Sequence, residues 1–441
     1  MGNDAKGHIY YNIRGRGVNM SIEQRIRSQL LEIQKKAESN LKDNVLPFWT
    51  KNTWDHEYGG FLTRLDRTGK LIDTSEKVFI MQARMIWSLS AAHRFGITDK
   101  GYLDIAHKAF DYVIQTMWDH DEGGFYFSVT REGKPINRRK NTDFHGYALT
   151  GLAEYYCASQ RKEALEWADK VFEVLIEKAA DREFGFIEDF DEGKWPVLNS
   201  GQMNLGDQQN IKTIDMHTNV MEGLVYLYKA SKDSKHLEAL QNVFYLIMKK
   251  GIHPEYNCGV TAFDYDWNPV PDVDGKWTTS YGLNVELAWL LLEAVDLLQH
   301  SREEYKRIIL GLIDHALDYG FDGKRGGLAA FGPVRGHVLQ ATDLPENRLL
   351  KAWWEQAEML NALIYAYEYT REKKYFEALV KLFDWIWTYQ IDHEYGGWYQ
   401  DVYWNSGKPI TTDKGSEWKT AFHTSRALMQ GIQVIDKIIK A

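Results

Sequence analysis

The chain has 441 residues, 44% apolar and 26% charged, with a net charge of −9. That balance excludes a disordered or fibrous protein, and the interspersed basic and acidic residues lack the clustered Lys/Arg face that nucleic acid requires. No apolar run approaches the ~18 residues of a membrane helix, and Cys157 and Cys258 alone can build neither a disulfide framework nor a thiolate metal cage.

No secretory pattern opens the chain, so the cytoplasm is the expected compartment. Aromatic residues reach 14%, with 16 Trp and 25 Tyr. Such an excess suits clefts for flat, half-apolar ligands, of which sugars are the common case. Residues 1–19 read as a tag or loose extension, leaving 20–441 as a single domain.

From the first helix onward the chain repeats itself. Residues 21–50 read as a helix, and then comes Trp54-Asp55-His56-Glu57-Tyr58-Gly59-Gly60-Phe61. The phrase returns at Trp118–Phe125 and at Ile391–Trp398. Weaker echoes are Glu183-Phe184-Gly185-Phe186, Asn257-Cys258-Gly259-Val260 and Asp322–Gly327. The first glycines fall at 59, 123, 185, 259, 326 and 396, so the spacings are 64, 62, 74, 67 and 70. Between them, 76–95, 101–117, 143–159, 161–178, 214–231, 234–250, 281–299, 303–318, 350–370, 373–389 and 418–438 show the 3.6-residue spacing of amphipathic helices. After each strong phrase, a period-two stretch runs into a glycine turn, as at Leu62–Asp66 before Thr68-Gly69, which predicts a small hairpin. Six helix pairs with short β-hairpins predict an all-α (α/α)6 barrel, with an open helical solenoid as the alternative. Within the repeated phrase, aspartate favours the turn and Gly-Gly the left-handed backbone. His56, His120 and His393 are accordingly assigned to turn packing. Trp118-Asp119-His120-Asp121 and Asp264-Tyr265-Asp266 lack the spacing of a calcium loop.

Catalytic signatures of metalloproteases, nucleotide-binding loops and serine hydrolases are missing, so neither a cofactor nor a metal is implied. Four polar insertions in the helices remain. Lys77, Gln82 and Arg84 with Trp87 place a guanidinium in an apolar stretch, where it needs either an internal salt bridge or an anionic or polar ligand. Asp215 and Asn219 share a helix face, with His217 and Glu222 nearby. Tyr281, Asn284 and Glu286 open an apolar helix, where a carboxylate could simply serve the helix dipole. Trp418, His423 and Arg426 lie at a helix start, and Trp353-Trp354 with Gln356 and Glu358 enter another.

These segments resemble the N-acylglucosamine 2-epimerase superfamily, and within it the cellobiose 2-epimerase branch. The likeness runs over 21–438. It rests on Leu46-Pro47-Phe48-Trp49 with Gly59-Gly60-Phe61, Gln82-Ala83-Arg84 with Trp87, and Tyr147-Ala148-Leu149 with Glu154-Tyr155-Tyr156. It continues through His217 with Glu222, Tyr281-Gly282 with Glu286, Trp353-Trp354 with Gln356-Ala357-Glu358, and Trp418 with His423 and Arg426. The resemblance implies an (α/α)6 barrel that moves the proton at C2 of an unmodified aldose or β-linked disaccharide. It implies His423 as general base or acid, His217 in the substrate pocket, Glu286 holding a catalytic histidine, and Arg84 on sugar oxygens. Trp354 and Trp418 would be stacking walls, with Glu358, Asn284, Tyr281 and Asn219 around the sugar. His145, where the family usually carries glutamine, is a candidate at the sugar site against the reading of a packed core histidine. Two positions depart from the pattern: Leu283 stands where the family's Gly-His-Asp-Ile-Glu carries a second catalytic histidine, and Asn219 where many members carry another.

Removing the C2 proton leaves an enediolate, so a base and a countercharge on oxygen are both needed. Return of the proton to the opposite face gives the epimer. Return to C1 gives a ketose and needs one base only, which makes an aldose–ketose isomerase the first alternative. A glycoside hydrolase using two of Asp215, Glu286 and Glu358 is the second. The expected partner is a small-molecule sugar, with the chain acting as a monomer or homodimer.

Overall fold

The computed structural model describes residues 21–181, 185–190, 195, 212–264, 266–271, 275–336, 338 and 350–440. The expected extension at 1–19, Glu183-Phe184 of the third phrase and Tyr265 lie outside these residues.

Among the described residues, twelve helical rods alternate between an outer and an inner ring. The first outer rod is α1 (Ile22–Ser39), which passes through a π-helical turn (Asn40–Val45) into α2 (Leu46–Thr53). The other outer helices are α4 (Tyr102–Thr116), α6 (Lys162–Val174), α8 (Ser234–Leu246), α10 (Arg302–His315) and α12 (Lys373–Trp385). The inner ring is α3 (Phe79–Arg94), α5 (Thr142–Ser159), α7 (Ile214–Ser231), α9 (Tyr281–Leu297), α11 (Trp353–Thr370) and α13 (Phe422–Lys440). Outer helices are amphipathic, whereas almost every residue in the first three turns of each inner helix is buried. Each inner helix packs on its neighbours, and α13 packs on α3, so the ring closes as expected and is not an open solenoid. The closing outer helix is α1, seated on α13.

Helix boundaries follow the periodicity to within a few residues, with two informative differences. Residues 350–352 form a strand and 418–421 are non-helical, so Trp418 and Lys419 precede α13. The hairpins form, but their first strands also pair across units. Glu76–Val78, leading into α3, pairs antiparallel with Ser128–Thr130, and Leu350–Ala352, leading into α11, pairs with Asp401–Tyr403. Each lead-in is thereby tied to the turn of the next unit.

The glycine turns explain the repeat. Asp55 accepts the backbone N–H of Glu57 at 3.1 Å, and its other oxygen meets the buried ammonium of Lys77 at 2.9 Å. The same pair recurs as Asp119–Lys140, Asp181–Lys212, Asp322–Lys351 and Asp392–Lys414. Burial opposes ionisation of Asp55 and Asp392, yet their cations and N–H donors hold both carboxyls well below the usual range. Gly59 and Gly60 adopt φ of 75° and 72°, and a Cβ on Gly60 would come within 2.6 Å of Tyr112. Both the conformation and the close approach therefore require glycine. The fourth unit departs: His253 stands in the aspartate's place, and Thr279, in the lysine's place, donates to Gly259 O. Asn257 (φ 49°) takes the place of the first glycine there, and Gly259 corresponds to Phe61. His56, His120 and His393 are exposed on these turns, with His393 Nε2 2.7 Å from Trp387 O.

Candidate active site

Five residues beyond each buried lysine, or beyond Thr279, comes a side chain that clamps the turn. Gln82 Oε1 accepts Phe61 N–H at 2.7 Å, and Gln356 Oε1 accepts Leu328 N–H at 2.7 Å. His145 Nε2 accepts Phe125 N–H at 2.9 Å, His217 Nε2 accepts Phe186 N–H at 3.1 Å, and Asn284 Oδ1 accepts Gly259 N–H at 2.7 Å. In the sixth unit Lys419 Nζ donates to Trp398 O instead. The remaining ring nitrogens of His145 and His217 donate to carbonyls one turn back, Asn141 O and Thr213 O, each at 2.7 Å. Burial lowers both histidines to about 4, so they are neutral and fully occupied.

This arrangement corrects the catalytic expectation for His217 and decides His145 for packing over a sugar contact: both are turn clamps with both ring nitrogens occupied. Asn284, expected at the sugar, clamps through Oδ1, while its buried Nδ2 has no hydrogen-bond partner. Tyr281, also expected at the sugar, is fully buried. Its hydroxyl donates to Pro333 O at 3.2 Å, and its ring fills the space beside Gly320 and Gly332.

The residues facing the barrel axis lie in register on every inner helix at i, i+4 and i+7, one helical face. The middle layer is Arg84, Tyr147, Asn219, Glu286, Glu358 and His423, one residue from each helix. Three residues on, the floor is Trp87, Thr150, Glu222, Trp289, Asn361 and Arg426.

Arg426 is fully buried and ties the floor together. Its guanidinium bonds Glu222, Glu286 (2.5 Å) and Glu358 (2.8 Å). Three carboxylates facing one guanidinium leave excess negative charge in a dry site, so a proton must be retained. Glu286 holds it: burial first, and then the Glu358 charge, raise its carboxyl well above the usual range. Burial would raise Glu358 too, but Arg426 and the hydrogen bond from His423 keep it below its ordinary value and ionised. Glu358 accepts His423 Nδ1–H at 2.7 Å on one oxygen and Trp289 Nε1–H at 2.9 Å on the other. Glu286 lies 3.9 Å from the same imidazole. The carboxylate that orients His423 is therefore Glu358, expected at the sugar, and Glu286, expected to hold the histidine, anchors Arg426.

Because a carboxylate only accepts, Nδ1 of His423 carries the hydrogen and Nε2 is left for proton transfer. Burial outweighs Glu358 and lowers His423 to about 4, so the ring is neutral at physiological pH. Glu286, Glu358 and His423 offer ligand atoms within 4.8 Å of one another, but Arg426 already supplies the cation there.

Arg84 donates to Trp418 O at 2.6 Å and lies 4.2 Å over the Tyr147 ring. Its buried Nε has no hydrogen-bond partner. Trp354 packs on Gly282, where a Cβ would come within 2.8 Å of the indole, and its ring centroid is 5.9 Å from that of His423. Trp354 and Trp418 are partly exposed, as walls of an open cup would be. Asn219 receives the Tyr147 hydroxyl at 3.1 Å and donates to Asp143 (2.7 Å) and Asp215 (3.2 Å). Asp143, Tyr147, Glu222, Trp289 and Arg426 carried no role in the sequence reading. Registering the helices on the buried lysines finds the first three, setting Thr279 in the lysine's place finds Trp289, and the His423–Arg426 spacing finds the last.

Residues 59–427 match the family described as N-acylglucosamine 2-epimerase (GlcNAc 2-epimerase). The chain belongs to this family. Among N-acylglucosamine 2-epimerase relatives, it is 29% identical to a cellobiose 2-epimerase of Ruminococcus albus, over 89% of this chain and 96% of the relative. It is 23% identical to a D-mannose isomerase of Marinomonas mediterranea, over 89% and 95% respectively. The solved structure of cellobiose 2-epimerase from Spirochaeta thermophila superposes with a TM-score of 0.83 at 27% identity, covering 94% of this chain and 99% of that one. Sugar isomerase chemistry is common to these relatives, and none of the three is a glycosidase. Among the described residues no helix is long and apolar enough to cross a membrane.

Proposed function

We propose that the protein is a carbohydrate C2 epimerase acting on an unmodified aldose or β-linked disaccharide of the cellobiose type. The observation that carries the reading is a neutral imidazole, His423, oriented through Nδ1 by an ionised Glu358 and placed on the same cup as Arg84. The open-chain aldehyde acidifies the hydrogen at C2. His423 Nε2 takes that proton, and Arg84 holds the oxygen on which charge develops. Its buried, unpartnered Nε–H supports this role, since such a donor is costly unless a ligand satisfies it. Trp354 and Trp418 supply faces on which sugar rings stack. Glu358, Arg426 and Glu286 act by positioning, because they bond one another and His423.

The test is incubation with cellobiose, mannobiose, mannose and glucose in D2O, followed by NMR. Deuterium at C2 together with the 2-epimer is the expected result. A ketose product would convert the assignment to aldose–ketose isomerase, and released monosaccharide from a disaccharide to hydrolase. No exchange with any of the four sugars would overturn the proposal.

A further inference from the structure

Epimerisation needs a proton delivered to the face opposite the one from which it left, and Leu283 offers no group for that delivery. Among the inner helices, α13 and α7 are three places apart in a ring of six, so they face each other across the axis. The span is short: on the floor the Arg426 side chain of α13 reaches Glu222 of α7 directly. Above that bridge, α13 presents His423 one turn up from Arg426, and α7 presents Asp215 on the same helical face as Glu222, two turns up and one turn beyond Asn219.

Resting on the epimerase reading, we infer that Asp215 is the second proton-transfer residue, working from the wall opposite His423 in place of the family's missing histidine.

Its surroundings fit the task. The carboxyl is held by Asn219 Nδ2 at 3.2 Å, and that amide is fixed by Asp143 and the Tyr147 hydroxyl. Arg84 from α3 and Glu286 from α9 interact with it electrostatically, and Asp143 and Tyr147 from α5 share its Asn219 partner. Unlike Glu222, Glu286 and Glu358, which Arg426 engages, Asp215 meets no cation within salt-bridge distance among the described residues, and it is partly exposed. Burial raises it to about 6, against the opposing pull of Arg84 and Asn219, so a protonated acid is available near neutrality. The Arg84 guanidinium acts electrostatically on both His423 and Asp215.

The step balances. The C2–H bond breaks and its proton moves to His423 Nε2. The freed pair forms the C1–C2 double bond, and the carbonyl pair moves onto O1 beside Arg84. Asp215 then gives its proton to C2 from the other face while the O1 pair restores the carbonyl. His423 is left protonated and Asp215 ionised, and exchange with solvent resets both.

The experiment compares the wild type with Asp215→Asn in D2O, using cellobiose and mannose as probes. Asp215→Asn is expected to lose epimer formation by about 100-fold or more while deuterium still enters C2 of the unepimerised sugar through His423. Wild-type epimerisation by this variant, or a parallel loss of exchange and epimer formation in a variant with the wild-type melting profile, overturns the inference. Asp215→Ser reads the same split should the amide variant not fold. Failure of the wild type to exchange C2 in any aldose would fall on the epimerase reading instead.

Discussion

The ring of glycine turns and the cup beside it occupy the same end of the barrel and use the chain in opposite ways. In the turns, five of the six units repeat one solution: an aspartate, a buried lysine and a clamp five residues on. In the cup, the six inner helices each present one group, and these span five chemistries: a guanidinium, a phenol, an amide, two carboxyls and an imidazole. Repetition marks positions where each unit needs the same structural answer. Divergence at a fixed register marks positions where a single asymmetric ligand meets six walls.

Substitutions can break or sharpen this contrast. The largest effect belongs to the cup: His423→Ala should reduce C2 deuterium exchange by on the order of 1,000-fold or more with the fold retained, as read by NMR and circular dichroism. Next comes the floor. Arg426→Met leaves Glu222, Glu286 and Glu358 facing one another without their cation, and should cost about 3–5 kcal/mol of stability, measured by urea unfolding. In the turns, Lys140→Met leaves buried Asp119 with only the exposed Arg138, at 3.6 Å. A loss of about 3 kcal/mol is expected, with exchange per folded molecule unchanged; a comparable loss of exchange would remove the distinction between the two regions.

The smallest effect is the most discriminating. His217→Gln installs the residue that the first and fifth units use as a clamp, so exchange activity should persist. The folded histidine sits at about 4 against ~6.5 when unfolded. Between those values the unfolded chain binds more protons, so this group lowers stability as pH falls from 6.5 to 4. Removing it should favour the variant at pH 5 by about 2 kcal/mol relative to its difference at pH 7.5, measured by urea unfolding at both. An inactive but stable His217→Gln would return that histidine to the catalytic machinery.

The contrast also explains what the sequence disclosed. Glycine spacing and helical periodicity were sufficient for the (α/α)6 barrel, because each unit must bury its own helices in the same way. The cup was legible as a set: Arg84, Glu286, Glu358, Asn219 and His423 do meet on the axis. Their partnerships were not. Glu286 and Glu358 are equal carboxyls at equal register on adjacent helices, and only packing decides that 2.7 Å belongs to one and 3.9 Å to the other. His145 and His217 misled for a related reason. An imidazole and a glutamine amide can both accept a turn N–H, so a structural residue took the form of a catalytic one. The fourth unit, with His253 and Thr279, disguised its turn by the same kind of exchange and shifted the apparent glycine register.

Ring closure by α1 against α13 has a consequence for how the protein comes into being. The imidazole and the guanidinium that knits the floor both ride on α13, which ribosomes deliver after the other helices of the ring. A nascent chain can therefore stack five of its six pairs and still lack both the group that moves hydrogen and the charge that quiets three acids. Until those last turns emerge and the opening helix docks on them, the growing polypeptide handles no sugar, and activity arrives only with completed assembly.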